Sequence, residues 1–517
     1  MTSLACTRLA PCILIAALAT ASTSRASQVL DQDQDPDAGR ATIFSLAAWP
    51  QQIAGKAPSA GETPVLVHQE LLAVAEPGLK LSLGVAPHRF DGTVTNVEVR
   101  LTGQSVFGAI DDDPAGFFIL TSEGDVTLGV LQSARVGRLY ELRYVGDGVN
   151  AWAPIDASQF PAGDCATGLR PHPVLPPDRN GPAALEPGED RHQHEEEQNN
   201  GEIASSCNPP RHFDVAIYYT TAAKNECGGT AAIQARCQLA VDTANQVYAD
   251  SLISPRMVLV FRGETSYVET SDVETDRNRL ADPSDGYLDG AHSTRDAYGA
   301  DFVCLFVNAS DPDNCGIAYC TPSDSSYGFC VVQQGCAVGN LTFPHEVGHL
   351  QGCAHNPEDA GSCNEYCDSY GHRFTGASGS KWRTVMSYND ANNPSTRIGI
   401  FSNPYVNFDG RPTGIRTEDC DDDRFNAATV NTTAPDRENY RRPKFEVWVD
   451  FSELFGIERG TFQSPWNTLA EGVSAIYSGN APLVEPTLWL KAGTSHETMT
   501  INKRMTIRSC GVAIIGG

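Results

Sequence analysis

The residues in this chain best placed to do chemistry together are His345, Glu346, His349 and His355. They lie in the run His345-Glu346-Val347-Gly348-His349-Leu350-Gln351-Gly352-Cys353-Ala354-His355. Residues four apart on a helix share a face, so His345 and His349 present two imidazoles to one ion while Glu346 projects beside them. Pro344 is tolerated in a first helical turn, where its missing N–H costs nothing. Gly352 permits a left-handed helix end, and that turn brings His355 round as a third ligand. Three protein ligands leave a fourth position for water, the mark of a catalytic rather than a structural zinc. The chemistry is then hydrolysis: zinc activates water and polarises a carbonyl, and Glu346 acts as general base. A bare HExxH recurs by accident. A glycine and a third histidine at fixed offsets, in a chain with only 12 histidines, make coincidence remote.

Such a site needs a rigid frame, and the flanking sequence supplies one. Phe213 to Tyr219 reads as a strand by its β-branched and aromatic content. Thr230 to Tyr248 reads as a helix, with Ile233, Ala240, Ala244 and Val247 near helical spacing. Met257 to Phe261 is a second strand, and Phe302 to Val307, apolar throughout, is a third and central one. The order implies an α+β fold, a mixed sheet carrying helices. Before it, from about Pro64 to Pro154, short β-like runs alternate with glycine: Val94 to Leu101, Phe117 to Leu120, Val126 to Leu131 and Leu139 to Val145. Residues 28 to about 60 are polar and are expected to lack order. After about Phe445, Pro465 to Ile476 reads as a short helix. Thr487 to Leu490, Thr498 to Ile501, Met505 to Arg508 and Val512 to Ile515 read as short strands of stacked β-coils.

At 517 residues the chain should hold several units. The expected division is a signal peptide over 1–26, a β-rich region over 27–170, an acidic proline-rich linker over 171–210, the zinc domain over 211–443 and a short β-helix-like module over 444–517. The signal rests on Arg8, the apolar run Cys12 to Leu18 and the small residues Ala19-Thr20-Ala21, with Ser24-Arg25-Ala26 as a second cleavage site. That run is too short to span a bilayer, so the protein is expected to be secreted without membrane insertion. His192 and His194 belong to the linker and read as part of a solvated tail. The net charge of −27 argues against nucleic acid or an anionic membrane as a natural partner. Twelve of the 16 cysteines lie between Cys207 and Cys420, an even, dense set that reads as a disulfide framework after an export signal. The acidic stretches Asp311-Pro312-Asp313 and Asp419 to Asp423 lack the ligand-and-glycine alternation of a calcium loop and read as solvated loops.

About thirty residues past His355 stands Thr384-Val385-Met386-Ser387-Tyr388. This resembles the methionine turn of the metzincin metallopeptidases. The resemblance implies that Met386 packs beneath the three histidines and that Tyr388 coordinates zinc or steadies the transition state. Cys315-Gly316-Ile317-Ala318-Tyr319 is similar to their substrate-binding edge strand. Phe401-Ser402-Asn403-Pro404, with Gly410 and Gly414, is similar to a substrate-pocket wall, and Asn426 to Tyr440 to the closing helix. From about Phe213 to Arg442 the chain resembles the reprolysin-like and peptidyl-Asp metallopeptidases, secreted bacterial proteases with one catalytic zinc. Asn356 departs from the aspartate that often follows the third histidine in reprolysins. The resemblance further implies a latent proenzyme acting on proteins or peptides, with the β-rich region as its own inhibitory propeptide. Cys165 is then either a thiol closing the zinc site or half of a disulfide with a partner such as Cys510. The competing reading is a secreted surface- or polysaccharide-binding protein with a non-proteolytic zinc site. Intact Glu346 speaks against it, because a structural site needs no general base.

Overall fold

The computed structural model describes residues 34–165 and 209–516, with short interruptions at 36–38, 60, 157–159, 161–162, 309–310, 312, 321–323, 362–363, 391, 418–419, 421–422 and 453–455. The expected signal segment and nearly all of the expected linker, with His192 and His194, lie outside these residues.

The zinc-motif region is built on a six-stranded mixed sheet. Its strands are β1 (Gly163–Cys165), β2 (His212–Thr220), β3 (Arg256–Thr265), β4 (Phe302–Val307), β5 (Asn314–Ala318) and β6 (Phe329–Gln333), in the order β1-β5-β6-β4-β2-β3. Strand β4 is interior and buried at every residue, as its unbroken apolar run requires. Strand β5 pairs antiparallel with β6, Gly316 opposite Val332, and the other pairings of this sheet are parallel. Helix α1 (Thr230–Asp250) covers one face of the sheet, and α2 (Thr342–Leu350) carries the first two histidines. Helix α3 (Asn426–Arg437) lies where the closing helix was expected.

The N-terminal sheet is an antiparallel meander from Lys80 to Pro154, extended by short strands at Arg40–Thr42, Phe44–Leu46 and Thr63–Val67. Residues 40–46, expected to lack order, are instead strand, because Ile43 and Phe44 bury fully in the sheet's own core. Side chains alternate faces along a strand. Phe118, Leu120 and Leu131 point into that core. Phe117, Ile119 and Val130 point the other way and join a second core with Ile233, Leu239 and Val247 of α1. The β-rich region is thus not packed apart from the zinc-motif region but shares a core with it. Buried polar contacts cross the same seam. Glu123 accepts from Arg262 Nη1 at 2.6 Å, and Glu141 meets Arg236 at 2.7 Å. Asp242 accepts from the hydroxyls of Ser105 and Thr121.

At the C-terminal end, β9 (Glu446–Val449), β10 (Thr487–Ser495) and β11 (Thr506–Ile515) form a parallel sheet stacked in register. Trp448 stacks on Trp489 at 5.2 Å between centroids, and Arg508 lies over Trp489 at 5.5 Å. Three expectations are corrected here. Thr498 to Ile501 is not a strand, and the two short runs near the end form one strand through Gly511, whose φ of 91° lets the chain continue past a local irregularity. Helix α4 (Leu469–Ala475) begins after Thr468, whose hydroxyl caps Glu471 N, rather than at Pro465.

The disulfide framework is also smaller than expected. Cys315 pairs with Cys336 and Cys367 with Cys420. Cys320 and Cys510 are also disulfide-bonded. Cys227, Cys237, Cys304, Cys330 and Cys353 are buried free thiols. They fill core positions, where a cysteine behaves as a small apolar side chain.

Candidate metal centre

The chain enters α2 through Leu341, a buried residue held at φ 55°. A left-handed leucine is strained, and such strain concentrates where a helix start must be held in one orientation. All nine residues of α2 are buried, Pro344 sitting in its first turn. The helix ends as the sequence requires. Gly352 adopts φ 94°, Cys353 N donates to Gly348 O at 3.0 Å, and the reversed chain delivers His355.

The three imidazoles converge. His349 Nε2 lies 2.9 Å from His355 Nε2, which lies 3.2 Å from His345 Nε2. On the far side of the rings, His345 Nδ1–H donates to Val385 O and His349 Nδ1–H to Cys353 O, each at 2.9 Å. Those bonds fix the tautomers and aim the Nε2 lone pairs at a common point. Burial, aided for His345 by His349, Arg397 and His355, holds His345 and His355 well below the usual histidine range, and burial pushes His349 down to about 4. The rings are therefore neutral, the form that binds metal. Three neutral acceptors this close, with no proton to share, fit a cation. Among the described residues, His345, His349 and His355 are the group placed to hold one. Asp311, by contrast, uses its carboxylate on the backbone N–H groups of Asp313, Asn314 and Val273.

The supporting residues gather around this point. Glu346 is fully buried, and the edge strand comes so near that a Cβ added at Gly316 would sit 2.8 Å from Glu346 Oε1. Met386 is fully buried against the helix at Gly348. The Tyr388 ring lies against His355, centroids 3.9 Å apart. Its backbone N donates to Asn356 Oδ1 at 2.9 Å. Asn356 Nδ2 donates in turn to Glu358 and Asp359, both at 2.7 Å. The departure at Asn356 thus has a local reason: two neighbouring carboxylates need a donor that aspartate lacks. The Cys315–Cys336 disulfide ties the edge strand to the loop ahead of α2.

Sequence reasoning named the histidines, Glu346, Gly352, Met386 and Tyr388, and the structure brings all of them together. It missed the space-making roles of Gly316 and Gly348, the bridging role of Asn356, and two buried arginines, Arg383 and Arg397. The sequence model of metallo-peptidase family M12 matches residues 209–398, which span five of the six strands of the sheet, the three histidines and the methionine turn. A peptidyl-Asp metalloendopeptidase of Stenotrophomonas maltophilia is 32% identical over 65% of this chain and 73% of its own length. The chain belongs to the reprolysin-like, peptidyl-Asp group of metalloendopeptidases. The family is shared with a peptidyl-Asp metalloendopeptidase of Xanthomonas campestris, 31% identical over 58% of this chain and 66% of that protein. A third, from Pseudomonas fragi, is 28% identical over 34% of this chain and 90% of its own length. This metalloendopeptidase is a hydrolase of peptide bonds, and the three histidines at its centre are placed to hold the metal that a metallopeptidase implies.

Proposed function

We propose that this chain is a secreted zinc endopeptidase, made as a latent proenzyme, that cuts peptide bonds at aspartyl residues. The observation that carries the reading is the convergence of three neutral Nε2 atoms beside a buried carboxylate on the same helix. His345, His349 and His355 would hold the zinc, which supplies Lewis acidity and a water acidic enough to react near neutral pH. Glu346 takes the proton from the attacking water and delivers it to the leaving amine. Tyr388, beside His355, donates from its phenol to the developing oxyanion. Strand β5 offers its backbone to the substrate, and Gly316 keeps that backbone clear of the Glu346 carboxylate. The aspartyl preference is taken from the names of the relatives.

Latency is supported by β1. This strand, from the N-terminal region, pairs with β5 in parallel, Gly163 opposite Asn314 and Cys165 opposite Gly316. It holds the hydrogen-bonding edge that a substrate would use. In this reading the N-terminal region is an inhibitory propeptide, and a cut in the linker begins maturation. Titrating free thiol in the uncut protein separates a Cys165 switch from a disulfide.

The test is digestion of casein and of a mixed peptide library by the chain after cleavage within residues 171–210. Activity lost to a chelator, restored by zinc and concentrated at aspartyl bonds is the expected result. Cleavage persisting in metal-free protein overturns the reading.

A further inference from the structure

Two buried arginines beside the methionine turn have no part in the chemistry above. Arg383 is 5% exposed and Arg397 6%. They are register partners on two short parallel strands, β7 (Lys381–Arg383) and β8 (Thr396–Arg397). Both guanidinium groups converge on one oxygen: Arg383 Nη1 donates to Ser387 O at 2.8 Å and Arg397 Nη2 to the same atom at 3.3 Å. Arg397 Nη1 also donates to Asn340 O at 2.8 Å, just ahead of the left-handed Leu341 that starts α2. Ser387 stands between Met386 and Tyr388. The pair is therefore wedged between the base of the metal centre and the start of its helix.

Two guanidinium groups at paired strand positions concentrate positive charge in a buried place, where its field reaches further than in water. A fold that keeps such a pair next to its reacting centre has a use for positive charge there. Both arginines line a cavity of about 750 Å³ together with Asn340, Ser395 and Thr396, and residues 154–156 and 160, just ahead of β1, form part of its wall. The cavity is thus walled in part by the segment that leads into β1, the strand lying along the edge where a peptide would lie. Guanidinium offers a planar fork of donors matched to a carboxylate.

We propose that Arg383 and Arg397 form the subsite that reads the acidic side chain at the scissile bond. This rests on the aspartyl-directed reading above and supplies the residues that would enforce it. A substrate carboxylate enters the cavity and is bound by the two guanidinium groups. An uncharged isostere leaves both cations without that anion, so the subsite discriminates mainly by penalising the wrong residue.

The test compares matched peptides bearing Asp or Asn at the scissile bond, cleaved by the mature wild-type protein and by Arg383→Gln and Arg397→Gln, with zinc content measured in each. The ratio of kcat/KM for Asp over Asn should fall by about thirtyfold or more in Arg397→Gln, with most of the change in KM for the Asp peptide. The paired variant R383K/R397K keeps the buried charge but loses the fork. It should show an intermediate ratio, and it serves where glutamine prevents folding. A wild-type protein that cleaves by a metal-dependent route with no acidic preference removes the aspartyl reading and this subsite together. A wild-type protein that prefers Asp, with variants that keep its ratio, overturns the subsite alone.

Discussion

Met386 occupies the space that a side chain on Gly348 would need: a Cβ built at Gly348 lies 2.7 Å from Met386 Sδ and 3.0 Å from the Phe401 ring. The glycine inside the zinc motif and the methionine 38 residues later are two halves of one contact. The helix can seat its histidines at the right depth only because position 348 is bare.

Gly348→Ala should therefore push α2 away from the methionine turn. Overpacking of this kind costs about 1–3 kcal/mol. Thermal melting should fall by several degrees and zinc affinity should weaken. Met386→Ala should relieve part of the loss when combined with Gly348→Ala, which a double-mutant cycle reads directly.

Glu346→Gln keeps the shape of the site and removes the proposed base. The variant should bind zinc in a one-to-one ratio, measured by metal analysis. Its kcat/KM should fall by about a thousandfold, within the range that a positioned general base contributes.

Asn356→Asp replaces a donor to Glu358 and Asp359 with a third carboxylate. A buried hydrogen-bonding group that loses its partners costs about 1–3 kcal/mol. The loss should appear in denaturant titrations at pH 7.5 and shrink toward pH 5, where the added carboxylate takes up a proton. Activity should fall too, because the anchor of the Tyr388 backbone is disturbed.

Asp250 sits at the C-terminal end of α1, where burial pushes its carboxyl up to about 7, against a partial offset from Gln246. The helix dipole is negative at this end as well. The native state thus holds a proton at Asp250 between about pH 4 and 7 that the unfolded chain has lost, so this residue's contribution to stability declines as pH rises through that window. Asp250→Asn should stabilise the protein at pH 8 and change little at pH 4. Paired melts of variant and wild type at both values check the sign.

Local patterns carried the sequence reading wherever a segment answers to its own residues. The run Phe302 to Val307 is a strand buried on both faces because nothing in it tolerates water, and the helix of Thr230 to Tyr248 follows its own periodicity. The histidines and Glu346 were legible because a single helix and turn fixes their spacing. What escaped depends on partners distant in sequence. Residues 40–46 form strands only because the far side of the N-terminal sheet receives them. Cysteine counts carry no information on which thiols stay unbonded, and among the described residues five are free. Arg383 and Arg397 look like ordinary surface charges until two short strands pair and bury them. Gly316 looked like one more strand residue, since its meaning lies in a carboxylate 30 positions away.

Under the latency proposed above, the seam between the N-terminal sheet and α1 has a kinetic consequence. Severing the backbone between residues 171 and 210 breaks one covalent link and leaves the common apolar core, the Glu123–Arg262 contact and the Glu141–Arg236 contact in place. Scission and the appearance of activity are then two events separated by a lag. The length of that lag is set by how fast the nicked fragments dissociate or a further cut dismantles the detached sheet. Dilute urea, or a substitution at Glu123, should shorten the delay without altering the rate of the first cut.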